Sequence, residues 1–251
     1  MKRIEFVCLH NKGYLRNTNQ DNFLVNNQHL KEADNELENP LTGSLPVADL
    51  PVFAVFDGMG GACCGEIAAY ISAETLLDFD LKHNISSADM LNVAFMEMNK
   101  NVCRYMEENK ISSMGSTASA LLFKNNEFVA CNLGDSPIFR LSNNRFTKIS
   151  LDHIGNESFS GSKPGLTQYI GIPEEEFVIE PYSKTDTYSD GDRFLICSDG
   201  LTDMVSNYEI GNIVGLDDIK TSARKLMEAA LGNGGRDNIT IVLCEVREEE
   251  V

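Results

Sequence analysis

With 251 residues, 42% of them hydrophobic, the chain can bury a substantial core, in one large domain or two small ones. Its 38 acidic residues outnumber 21 basic ones, and the net charge of −17 opposes binding to nucleic acid or an anionic membrane while favouring solubility. No run reaches the roughly 18 apolar residues of a membrane span. Seven cysteines without Cys-x-x-Cys spacing fit neither a disulfide framework nor a structural zinc site, but suit a reducing cytoplasm.

Near the start, Glu5 interrupts the apolar stretch, which favours a first strand over 4–10 rather than a signal peptide. A short strand over 23–25 follows a polar turn. Residues 26–51 run polar with three prolines, and predict a surface excursion with a short helix over 29–38. Residues 52–56 are continuously apolar and read as a buried strand. After Gly65 the period becomes helical, with Ile67, Ala68, Tyr70, Ile71, Leu76 and Leu77 on one face through about residue 79. A second helix begins near Ser86, with Asp89 three residues on as in a capping box. Its stripe of Met90, Leu91, Ala94, Phe95, Met98, Val102 and Met106 reads as core filling rather than a cofactor contact.

Strands over 116–123, 128–132 and 137–141 are separated by Asn125-Asn126 and Asn143-Asn144 turns. A Gly/Ser-rich loop covers 155–165, and strands follow over 177–180 and 194–197. A helix capped by Ser206 with Glu209, a longer helix over 217–231 and a strand over 238–246 close the pattern. Helix pairs between runs of strands predict an α+β layered sandwich in a single domain over 1–251.

Four acids flank apolar strands. Asp57, Asp135 and Asp199 stand at strand ends followed by turns, and Asp237 stands at a strand start. A carboxylate at the edge of a core is costly unless something positive pairs it. Few Lys or Arg accompany these four, so the natural partner is a hard divalent cation held by oxygen ligands. The residues therefore point to a metal-dependent hydrolase. A Ca²⁺-binding structural domain would carry an Asp-rich loop ending in Glu, and the sequence has none.

Six segments extend this reading: Arg16-Asn-Thr-Asn-Gln-Asp21, Asp57-Gly-Met-Gly-Gly61, Met114-Gly-Ser-Thr-Ala118, Gly134-Asp-Ser136, Ser198-Asp-Gly-Leu-Thr-Asp203 and Asp237-Asn-Ile-Thr240. In this order and spacing they resemble the metal-dependent serine/threonine protein phosphatases of type 2C, in their compact bacterial form, from about residue 3 to 246. The resemblance implies a four-layer αββα sandwich, two antiparallel sheets flanked by helix pairs, with a metal cleft at one end. It implies that Asp57 bridges two Mn²⁺ or Mg²⁺ ions, with the Gly58 carbonyl on the second and Asp199 and Asp237 on the first. A water shared by the ions would attack phosphorus directly, without a phosphoenzyme. Arg16 takes the place of a phosphate-binding arginine. Asp135 with Asp199 takes the place of a third, weaker metal site, though an Asp that simply holds a strand turn remains the competing reading. Asp21 would orient metal-bound water, and Asn238 would hold the loop around Asp237. Gly60 and Gly61 would ease entry into the helix, and Gly115, Ser116 and Thr117 would pack under the site.

The implied substrates are phosphoserine and phosphothreonine on proteins, with a cognate Ser/Thr kinase, in a cytoplasmic monomer. Departures from the family pattern leave an alternative, a weakly active or inactive module that binds phosphoproteins or regulates a partner. Gln20 stands where the family has Glu, and acts on a metal only through water and without charge. Pro137 replaces an arginine, Met59 a histidine, and the flap over 152–171 is short. The excursion at 26–51 is long, either a tolerated insertion or a docking element. His10, His29, His83 and His153 have no catalytic context in the sequence. For the Cys63-Cys64 pair, packing and a redox role both stay open.

Overall fold

Eight consecutive buried residues at the start of strand β12 (Ile239–Glu248) identify a strand covered on both faces. Around it, in the computed structural model, stand β1 (Lys2–Asn11), β3 (Leu41–Pro46), β8 (Ile138–Ser142), β9 (Arg145–Lys148) and β11 (Arg193–Cys197), in the order β3-β1-β12-β11-β8-β9. A second sheet combines β2 (Asp21–Val25), β4 (Val52–Met59), β6 (Ala118–Lys124), β7 (Glu127–Leu133) and β10 (Tyr182–Thr187), ordered β10-β7-β6-β4-β2. The two-residue β5 (Gly115–Ser116) pairs with the end of β4, and the paired strands run antiparallel. The structure describes residues 2–31, 36–59, 64–81, 86–156, 164–216 and 218–248.

Three apolar clusters separate the four layers. Between the sheets lie Phe6, Phe53, Phe123, Phe128 and Phe194, the last two edge to face at 4.8 Å. Helices α1 (Gly65–Asp78) and α2 (Ser87–Asn109) cover the second sheet. Helices α4 (Asn207–Leu216) and α5 (Ile219–Gly232) cover the first. The expected αββα sandwich is what forms.

Helix α2 follows its sequence signals closely. Ser86 caps it by accepting from the Asp89 N–H, and all seven residues of the expected stripe are buried. Helix α1 buries a different face from the one its large side chains suggest. Ala68, Ala69, Ser72, Ala73 and Leu76 lie against the sheet, while Ile67, Ile71 and Leu77 are only partly buried. Small side chains bring the helix axis close to the sheet and leave the bulky ones at its margin.

Several expected elements are corrected. No strand forms over 177–180, where Phe177 and Val178 are 45% and 57% exposed; the strand is β10, a polar edge that pairs only with β7. The excursion supplies β3 along the edge of β1 and a 3-10 turn (Val47–Asp49), and its Leu41 and Leu45 pack on the inter-sheet core. Its described residues 29–31 and 36–38 are not helical, and 32–35 lie outside the described residues. Strand β9 and the short helix α3 (Asp199–Thr202) were not expected. Gly60, Gly61, Cys63, His83 and most of the Gly/Ser loop also fall outside the described residues.

Candidate metal and phosphate site

Strand register creates the central feature of the site. In the β2–β4 pair, Asp21 stands directly opposite Asp57. Like charges directly opposite one another on neighbouring strands repel. Asp199 joins them from the start of α3 and Asp237 from the loop before β12, while Asp135 comes from the turn after β7. Asp57, Asp135, Asp199 and Asp237 line one cleft of about 400 Å³, together with Arg16, Gln20, Gly58 and Asn238. Pro164, Leu166 and Tyr169 form its other wall. All the candidate ligands read from the sequence are thus brought together, and Asp21 lies beneath them.

Burial pushes the Asp57 carboxyl well above the usual carboxylate range, and Asp21, Asp199, Asp135 and Asp237 push it further. Asp21, 4% exposed, is raised to about 7 by burial, with Asp199 and Asp237 adding to it and the Thr240 hydrogen bond opposing it. Its Oδ2 accepts from Thr240 Oγ1 at 2.6 Å, whereas its Oδ1 is buried with no hydrogen-bond partner. An orphaned carboxylate oxygen among further carboxylates suits a hard cation and its waters. Among the described residues no three His, Cys, Asp or Glu side chains form a ready cage.

Backbone contacts fix Asp57. Its N–H donates to Thr117 Oγ1 at 3.1 Å, and its carbonyl accepts from Thr117 N at 2.8 Å and Ser116 Oγ at 3.1 Å. Gly58 is sterically required, because a Cβ there would lie 2.3 Å from both the Gln20 and Gly65 carbonyl oxygens. Asn238 does more than hold its own loop. Its Oδ1 accepts from Gln20 N at 2.8 Å, and its Nδ2 donates to the Lys12 and Thr18 carbonyls at 2.9 and 3.0 Å. It therefore staples the segment that carries Arg16 and Gln20 to the start of β12.

Arg16 reaches across the cleft mouth, with Nη2 2.6 Å from Asp237 Oδ2. That hydrogen bond raises its pKa further, and Asp57 and Asp199 add to the effect. Gln20 Nε2 donates to Glu66 Oε2 at 2.9 Å, tying the cleft to the first turn of α1.

Three supporting residues escaped sequence reasoning. His10 Nδ1 lies 2.9 Å from Thr240 Oγ1, and Asn19 Nδ2 lies 2.7 Å from His10 Nε2. If the Asn19 amide donates to Nε2, the network assigns the proton to Nδ1, so His10 donates to Thr240 and Thr240 donates to Asp21. The signal was the β1–β12 register, which sets His10 opposite Thr240. His153 also gains a role, since its Nδ1 accepts from the Gly134 N–H at 3.2 Å and its backbone N–H donates to the Gly134 carbonyl at 3.0 Å, beside Asp135. The buried thiols act as small apolar groups, with burial pushing Cys131 up to about 12.

Comparisons with known proteins bear on family and fold. The family model for protein phosphatase 2C matches residues 45–243. Arg16, Gln20 and Asp21 precede that span, and it is the β2–β4 pairing and the Asn238 staple that place them here. Serine/threonine protein phosphatase PstP of Mycobacterium tuberculosis is 30% identical over 211 residues, covering 78% of this chain and 40% of that protein. The chain thus spans about two fifths of that relative. Serine/threonine phosphatase stp of Listeria welshimeri is 28% identical over 263 residues, covering 93% of this chain and 92% of that protein. Among solved structures, the catalytic domain of a PstP in complex with two manganese ions superposes with a TM-score of 0.75 at 25% identity, over 99% of this chain and 100% of that one. PppA of Pseudomonas aeruginosa reaches 0.79 at 23% identity, over 97% of each chain, a likeness of fold.

Proposed function

The chain belongs to the protein phosphatase 2C family, and on that premise we propose that it hydrolyses phosphoserine and phosphothreonine on proteins with Mn²⁺ or Mg²⁺. The observation that supports the reading is the Asp21–Asp57 cross-strand pair, surrounded by further carboxylates, with Asp57 lining the cleft and Asp21 buried beneath it. In this reading Asp57 and the Gly58 carbonyl would hold two ions, Asp199 and Asp237 would complete the first, and Gln20 would serve the second through water. Asp135, with Asp199, would hold a third. Bound there, the ions supply charge neutralisation at the phosphoryl group and a more acidic water.

The chain's own residues do the remaining work. Arg16 can exchange Asp237 for two phosphoryl oxygens, since its guanidinium fork matches both and its side chain is 54% exposed. Asp21, oriented through Thr240 and His10, is placed to accept a hydrogen bond from attacking water. No side chain is required to carry the phosphoryl group, so transfer goes directly to water. We assign the whole of 1–251 to one catalytic unit, acting as a cytoplasmic monomer opposite a cognate Ser/Thr kinase. No helix among the described residues is long and apolar enough to cross a membrane.

The test is hydrolysis of a phosphothreonine peptide by the wild type and Asp199→Asn, with Mn²⁺ and with chelator, alongside calorimetric Mn²⁺ titration of both. Turnover that requires metal, with turnover and Mn²⁺ heat both lost in the variant, is expected. Absence of turnover over a wide Mn²⁺ range in folded protein would favour the phosphoprotein-binding module instead.

A further inference from the structure

The carboxylates and Arg16 account for only part of the cleft. Its lining also includes Met59, Leu166 and Tyr169, and Tyr169 is the only aromatic among the described lining residues. A cleft of about 400 Å³ is large enough to enclose a small organic ligand, so it takes more than a phosphoryl group. A guanidinium and metal-binding carboxylates serve phosphoryl oxygens, whereas the Met59, Leu166 and Tyr169 side chains offer carbon surface.

Tyr169 lies outside any helix or strand, yet its neighbours hold it closely. Pairing of β4 with β5 sets Gly115 opposite Met59. A Cβ on Gly115 would lie 2.7 Å from one atom of the Tyr169 ring and 3.0 Å from the next. The ring thus fills the notch left by the missing side chain, beside the strand end that carries Asp57. Ile170 exchanges two backbone hydrogen bonds with Ser116, at 3.0 and 2.8 Å. Gly171 follows at φ +110°, where a Cβ would meet the Met114 carbonyl oxygen at 2.4 Å, so glycine is required.

Asn99 secures the far side of this segment from α2. It is buried, and its Oδ1 accepts from the Gly171 and Ile172 N–H groups at 2.7 and 3.1 Å. Its Nδ2 donates to the Ile172 carbonyl at 2.8 Å. One buried amide therefore satisfies three backbone groups that have no strand ladder to join. Without it those groups would be left unpaired inside the protein, and the segment that carries Tyr169 would have to move to find partners.

We infer that Tyr169 is a specificity-determining contact that favours substrates with an apolar side chain next to the phosphoresidue, and that Asn99 is the positioning residue that holds it there. The inference rests on the phosphatase reading above and adds to it a substrate preference. Met59 and Leu166 extend the same carbon surface. Contact with a neighbouring side chain is the same before and during phosphoryl transfer, so the preference is carried by KM rather than kcat.

The experiment compares steady-state kinetics, with Mn²⁺, on two phosphothreonine peptides that differ only in carrying Leu or Ser on both sides of the phosphoresidue. The wild type should favour the Leu peptide in kcat/KM by about fivefold, the scale of one aromatic contact. Tyr169→Ala should remove the preference through a higher KM for the Leu peptide, and Tyr169→Phe, which keeps the ring, should retain it. Asn99→Ala, measured per folded molecule, should lose the preference as Tyr169→Ala does; a folded Asn99→Ala that keeps it would overturn the positioning role. A merely structural part for Tyr169 would show differently, as a fall in kcat for both peptides together with a shift in half-saturating Mn²⁺. That pattern, equal kcat/KM for the two peptides in the wild type, or a preference that survives Tyr169→Ala would overturn the inference and leave the phosphatase intact. Absence of turnover in the wild type on both peptides and on an aryl phosphate would instead overturn the phosphatase reading, and the preference with it.

Discussion

Two groups of buried and half-buried acids occupy this fold, and they are held in opposite ways. Asp192 and Glu245, each 3% exposed, sit beside arginines. Arg140 Nη2 lies 2.6 Å from Asp192, and Glu245 takes Arg193 Nε at 2.9 Å and Arg247 Nη2 at 2.8 Å. Arg140 also stands over the Phe128 ring at 5.2 Å, so its aliphatic and cationic parts are both used. At the cleft, Asp21 and Asp57 face each other, and the leading charges acting on Asp57 are other carboxylates, against which Arg16 is the opposing cation. An uncompensated buried charge costs several kcal/mol. The first group brings its countercharge in the sequence. The second has only Arg16, at the cleft mouth, and in the proposed reading takes the rest of its countercharge from bound cations.

The largest effect expected from this contrast is at Asp57. Asp57→Asn should cut metal-dependent turnover by at least about 10³-fold, as loss of a central electrostatic group does. The same change should raise the melting temperature in chelator, by about 2–4 °C for each kcal/mol of repulsion relieved. Steady-state kinetics with Mn²⁺ and calorimetry in EDTA check the two halves, and a lower melting temperature would break the comparison. Arg140→Met should do the reverse. Stranding Asp192 should cost about 3–5 kcal/mol, read by urea unfolding, with turnover per folded molecule within about twofold of the wild type.

What could be read from the sequence follows from the range of the forces involved. The capping pair Ser86–Asp89 and the seven-residue stripe of α2 are local, and the helix forms where they place it. The cleft aspartates were legible as acids flanking apolar strands, with few cations beside them in the chain. β10 (Tyr182–Thr187) was not, since a polar edge strand buries no alternating stripe and depends on β7 for its bonds. The buried face of α1 was misread because alanines, chosen for close approach, outranked the larger residues. His10 and Thr240 stand 230 positions apart and meet only through the β1–β12 register. Asn238 and Glu66 likewise gain their roles from loops that converge in space.

The pH dependence of stability sharpens the comparison further. Burial raises the Asp21 pKa to about 7 in the folded chain, against roughly 3.9 when unfolded. Between those values the folded state binds a proton that the unfolded state has released. Stability in chelator should therefore be greatest at the acid end of this window and fall as pH rises through it, by at most about 1.4 kcal/mol per pH unit for one proton. Saturating Mn²⁺ should reverse the slope, because the metal binds the deprotonated form. Melting curves at pH 5 and pH 8, with EDTA and with Mn²⁺, read both signs. A flat profile in EDTA would mean that Asp21 is charged throughout and paid for by contacts other than those at the cleft.

The smallest effect expected is at Gln20, the one neutral side chain among the proposed groups that serve the ions. Its Nε2 donates to Glu66 Oε2, so the amide now satisfies a carboxylate on α1. Gln20→Glu replaces that donor with an acceptor and sets two carboxylates against each other. In chelator the variant should lose about 1 kcal/mol, the net worth of a hydrogen bond to a charged group together with the new repulsion. With metal the added charge should lower half-saturating Mn²⁺ by about three- to tenfold. Both shifts have the direction expected if the cleft trades its own stability for cation affinity. If stability falls and half-saturation does not move, Gln20 serves to anchor α1, and the ions are held by Asp57, Asp199 and Asp237 without its help.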